Sequence, residues 1–64
     1  MNLMSADAEG KLSISTNLEE LHILHAALNE ICHGIEIVEF ETRIGASLEE
    51  VKGVMRSLDE ILAS

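Results

Sequence analysis

Between Asn17 and Gly34 the apolar residues Leu21, Leu24, Leu28, Ile31 and Cys32 recur at helical spacing. At about 100° per residue they share one arc, with Ala27 at its edge, while Glu19, His22, Ala26, Asn29, Glu30 and His33 take the opposite side. The pattern predicts an amphipathic helix over 17–33. Its ends are marked as well. Asn17 is a preferred N-cap, because its side-chain oxygen accepts from an unpaired amide of the first turn. Glu20 follows three residues on, placed to reach back to the cap's own amide and complete a capping box. Glu19 and Glu20 also set negative charge at the positive end of the helix dipole. Gly34 is expected to be the left-handed residue that stops the helix, with Ile35 folding back on Ile31. One apolar residue, Ile23, falls off the arc, near Ala26 and Glu30.

A second helix over 47–63 repeats the device. Ser47 caps, Glu50 answers, and Val51, Val54, Met55, Leu58, Ile61 and Leu62 form the arc. Laying each residue on the one thirty positions later pairs Ile14 with Ile44, Leu18 with Leu48, Glu19 with Glu49 and Glu20 with Glu50. Leu28/Leu58, Glu30/Glu60 and Ile31/Ile61 follow, making seven identities across positions 14 to 31. Two readings fit. Either a strand-helix unit is duplicated, or two capped amphipathic helices look alike because they obey the same capping logic.

The remaining segments alternate with period two. Asp7-Ala8-Glu9-Gly10 fits a turn with Asp first and Gly left-handed. Leu12 and Ile14 then face one way and Ser13 and Ser15 the other, a half-buried strand over 11–16 whose partner would be 2–6. After the first helix, Val38, Phe40, Thr42 and Ile44 share a phase that Ile35 and Ile37 do not, so a third strand is expected over 37–44. Phe40 and Ile44 would face the core beside Leu12 and Ile14, with Glu39, Glu41 and Arg43 outward. The order ββαβα makes this an α+β domain, a small three-stranded sheet with two amphipathic helices on one face.

Size and charge sharpen that picture. A 64-residue chain is a single domain, and at this size it buries roughly 60% of the surface it exposes unfolded. Cys32 is the only cysteine, so no internal disulfide adds stability, and oligomerisation is the expected source of further burial. A lone thiol, the lack of a signal-peptide pattern and the lack of a long apolar run point to the cytoplasm. Twelve acids against four bases leave a net charge of −8. Such a surface repels phosphate backbones and anionic lipid, which argues against nucleic-acid and membrane partners. With Phe40 the only aromatic residue, there is no platform for stacking bases. A basic protein, by contrast, would be steered toward it.

No constellation points to catalysis. His22 and His25 are an i, i+3 pair supplying at most two metal ligands. Cys32 stands two turns beyond His25, about 10 Å away, so one ion cannot bridge them. His22 and His33 read as solvated, His25 as a boundary residue with one hydrogen bond, and Cys32 as a small hydrophobe. A metal-dependent sensor or enzyme built on His22, His25 and Cys32 is the least favoured reading, and no cofactor is expected. Of the carboxylate pairs, Glu19/Glu20 and Glu49/Glu50 serve the helix starts. Glu39 and Glu41, about 7 Å apart on one strand face, lack the walled cleft that acid-base chemistry needs.

The runs ALNEICHGI (Ala27 to Ile35) and EFETRIGAS (Glu39 to Ser47), followed by a leucine-rich last helix, resemble a family of small, largely uncharacterised bacterial proteins. Their pattern is a short hairpin, an ALNE-x-x-x-G helix, a FETR-x-G strand and a closing helix. The resemblance spans nearly the whole chain, includes no catalytic motif and implies the same element order. In size and acidity the chain is also similar to immunity-type inhibitors of bacterial toxins. Together these features imply a non-enzymatic protein-interaction module, a homodimer that binds a basic partner through Glu36, Glu39, Glu41 and Ile23. The alternative is a self-assembling structural or accessory subunit with no other partner.

Overall fold

The computed structural model describes residues 1–64. Asp7 organises the first element. Its Oδ1 accepts from the amides of Glu9 and Lys11 at 2.9 Å, and its own amide donates to the Lys11 carbonyl at 2.9 Å. Gly10 closes the turn at φ +85°, a conformation that glycine adopts without a Cβ clash. The turn joins β1 (Asn2–Ala6) to β2 (Leu12–Ser15) as an antiparallel hairpin. Asn2 lies opposite Ser15, Leu3 opposite Ile14, Ser5 opposite Ser13 and Ala6 opposite Leu12, with a bulge at Met4 between Leu3 and Ser5. Leu3, Ala6, Leu12 and Ile14 therefore share one face, and Asn2, Ser5, Ser13 and Ser15 the other.

Helix α1 (Leu18–Asn29) begins with half of the expected capping box: the Asn17 side chain accepts from the Glu20 amide at 2.8 Å, but no return bond from the Asn17 amide to the Glu20 carboxylate forms. The Glu20 carboxylate is drawn to the ammonium of Met1, at 2.8 and 2.9 Å. The far end departs from expectation. Residues Glu30–Gly34 widen into a π-turn, closed by the Ile35 amide donating to the Glu30 carbonyl at 3.0 Å. Gly34 is not left-handed; a Cβ there would meet the Glu30 carboxylate, which folds across it. Ile35 leaves in extended backbone and stays exposed.

The third strand does not form. Phe40–Ile44 is a short helix, α2, entered through Glu39 at φ 56° and left through Gly45 at φ 85°, whose amide donates to the Glu41 carbonyl at 2.8 Å. Of the residues whose alternation suggested a strand, Val38, Phe40, Thr42 and Ile44, the two with the largest side chains, Phe40 and Ile44, are four apart, where the periods of strand and helix coincide. Gly45 then acts as the left-handed stop of a helix. Helix α3 (Leu48–Leu62) carries the full capping box: the Glu50 amide donates to Ser47 Oγ at 3.1 Å and the Ser47 amide to Glu50 Oε1 at 3.0 Å.

The fold is thus α+β, with a two-stranded sheet and three α-helices. The thirty-residue repeat holds for the two long helices and fails for the strand, since Ile14 is in β2 and Ile44 in α2. Both α1 and the π-turn pack on α3. His25, midway along α1, meets Asp59, late in α3, while the end of the first helix touches α3 as well, so the two run antiparallel. Leu21, Leu28, Ile31 and Cys32 become half-buried, as do Met55, Leu58 and Leu62, and Val51 is the single buried residue at 6% exposure. The helices do not roof the sheet. Their apolar arcs face each other, and every residue of β1 and β2 is exposed.

The dimensions follow. A compact 64-residue chain has a radius of gyration near 11 Å, whereas this one measures 13.3 Å. A folded protein of this mass exposes about 4,000 Å²; here the accessible surface is 5043 Å².

Candidate interaction surface

The molecule has no enclosed site. Its one depression is open, about 250 Å³, and lined by Met1, which precedes β1, and by Glu20, Ile23 and Leu24 of α1. Ile23, the apolar residue off the helical arc, lies here at 62% exposure.

Apolar surface extends from this depression along the helix pair. On α3 the arc from Ile61 to Met55 spans about 120°, more than one neighbouring helix covers. In an antiparallel pair the equivalent flanks of two helices face the same side. Leu24 and Ile31 on α1 are therefore level with Val54 and Ile61 on α3. Leu24 is 41% exposed, and Val54 and Ile61 are each 56% exposed. The apolar face of the hairpin is barer still, with Leu3 and Leu12 at 63% and Ile14 at 49%. The sequence carried a signal for this: two broad apolar arcs plus a one-sided hairpin exceed what a 64-residue chain can cover.

The acidic residues are arranged otherwise than expected. Glu36 lies in the extended link after the π-turn, Glu39 in the turn before α2 and Glu41 in the first turn of α2; all are exposed. Glu39 and Glu41 do not share a strand face, because there is no strand. Ile23 belongs to α1, a different element from these three. Of the twelve acids Glu20 pairs with the Met1 ammonium and Asp59 with the His25 imidazole, and Lys11, Arg43, Lys52 and Arg56 form no ion pair. The negative field is left largely uncompensated within the chain.

The imidazoles and the thiol do not converge. His25 is half-buried and bonded through Nε2 to Asp59 at 2.5 Å, the boundary position foreseen for it, while His22 and His33 are exposed and Cys32 is half-buried. No three His, Cys, Asp or Glu side chains are grouped to hold a metal. The shifted carboxyls both sit at helix starts. The ammonium of Met1 holds Glu20 below its ordinary value, with smaller help from the Asn17 amide and the Thr16 hydroxyl. The Ser47 amide, and then its hydroxyl, do the same for Glu50. The first is an ion pair with the chain's own amino group, the second a capping effect. No helix is long and apolar enough to cross a membrane.

Comparison with protein-family models, curated proteins and solved structures gives no match for this chain.

Proposed function

We propose that the chain is a non-enzymatic protein-interaction module that self-associates through its apolar faces and presents its acidic exterior to a basic protein. One observation carries the reading: a chain of 64 residues buries a single side chain, Val51. Its surface excess of about 1,000 Å² over a compact chain is comparable with the ~800 Å² that each partner gives to a standard protein interface. The sharpest form of the reading is an immunity-type inhibitor of a basic toxin. Its support is the −8 charge, with Glu36, Glu39 and Glu41 all exposed.

The test has two parts. Sedimentation should show an oligomer at micromolar concentration; a monomer throughout would oppose self-association. Capture by the purified chain should recover a basic protein that elutes with salt and is lost when Glu36, Glu39 and Glu41 are changed to Gln. Recovery of no partner, or of acidic proteins only, would remove the second half. It would leave the alternative of a self-assembling subunit, which the uncovered hairpin independently favours.

A further inference from the structure

We infer that a second copy of this chain pairs along the free edge of β2, so that two hairpins form one four-stranded sheet with the two β2 strands at its centre. The inference rests on the self-association proposed above and names the surface that performs it.

The need comes first. A two-stranded hairpin is marginal in water, and three or more strands with a covered apolar face are required for independent stability. Nothing within the chain covers this one. Next is the choice of edge. The bulge at Met4 interrupts the regular register of β1, and bulges blunt a strand edge against addition. The β2 strand is regular and contains no proline, lysine or glutamate, the usual guards of an exposed edge.

Charge selects the occupant. Two copies each carrying −8 repel one another, yet neither Asn2–Ala6 nor Leu12–Ser15 contains an ionisable side chain. The hairpin strands are thus where like copies meet with the smallest electrostatic penalty. A basic partner, by contrast, gains nothing from an uncharged edge.

The backbone completes the geometry. The Asp7 amide donates to the Lys11 carbonyl, so by alternation the backbone groups of Leu12 and Ile14 point away from β1. A two-fold axis through Ser13 would set Leu12 of each copy opposite Ile14 of the other, exchanging hydrogen bonds in both directions. The two apolar faces then become continuous, and both serine faces lie on the opposite side. The Ser13 residues of the two copies would form a non-hydrogen-bonded pair with Cα atoms about 4.5 Å apart, a separation that a disulfide spans. The Ser5 residues would be about 14 Å apart, three strand spacings.

Two measurements test this. In a Cys32→Ser background, oxidised Ser13→Cys protein should run mainly as a covalent dimer under denaturing conditions, and Ser5→Cys protein, though still associated in solution, should form no covalent dimer. In the unmodified chain, exchange of the Leu12 and Ile14 amides should slow at least tenfold between dilute and concentrated samples. A sedimenting oligomer in which Ser13→Cys cross-links no more than Ser5→Cys, and those amides exchange freely, overturns edge pairing and leaves self-association standing. A monomer at every concentration overturns both.

Discussion

The helix pair and the hairpin are equally well specified locally and unequally finished. Asn17, Ser47 and Glu50 cap the long helices with hydrogen bonds of 2.8–3.1 Å, and Asp7 ties the hairpin turn as firmly. The helices then find each other and half-bury seven apolar side chains, and Val51, in the first turn of α3, is buried. The hairpin finds no wall and leaves both faces in water. Turn and cap chemistry decide which elements form, since each such group contributes on the order of 1 kcal/mol locally. Whether an element stays formed depends on apolar area removed from water, at about 25 cal/mol per Å², and that surface has to come from a neighbour.

The comparison sharpens if each half is perturbed in turn. The largest expected effect is on the hairpin: Ile14→Asp should convert an assembled chain to monomer on sedimentation while leaving the helical circular dichroism in place. Loss of both signals together would mean that the helix pair also depends on assembly. Next is Val51→Ala, which removes buried methyl groups and should lower urea stability by about 2 kcal/mol. Val54→Ala, at an exposed position, should change the monomer by less than about 0.5 kcal/mol. Gly53→Ala should raise stability by up to about 1 kcal/mol. Its position is inside α3, where a Cβ would have only Arg56 Nη2, at 3.8 Å, within reach. A loss instead would show that a second chain packs against that face. The smallest effect is a pH dependence. Glu50 titrates below its ordinary 4.5 when folded, so its contribution is complete above that value and is lost as pH falls through the lowered one. The urea midpoint should therefore drop more on acidification in the unmodified chain than in Glu50→Gln.

Much of the local structure was legible in the residues. The hairpin over 2–6 and 11–16, its Asp7–Gly10 turn, both long helices, the Asn17 cap and the full Ser47–Glu50 capping box follow from patterns a few residues long, whereas the Asn17–Glu20 box formed only in part because Met1 draws the Glu20 carboxylate away. The segment 37–44 was misread because Phe40 and Ile44, four apart, satisfy either period, and no nearby proline or second glycine broke the tie. Gly34 was misread for a related reason. A glycine after a helix usually supplies a left-handed stop, but here the Glu30 carboxylate occupies the space that a Cβ would need. The candidate residues Glu36, Glu39, Glu41 and Ile23 are all exposed, yet they are spread over the link, α2 and α1 instead of one sheet face.

By itself the sequence settled the two capped helices, the one-sided hairpin and an anionic exterior, because capping, turn formation and charge are properties of neighbouring residues. Only the tertiary arrangement decided that the helices pair with each other and leave the sheet bare. That outcome depends on how limited apolar area is shared among elements far apart in the chain, and no window of consecutive residues contains that information.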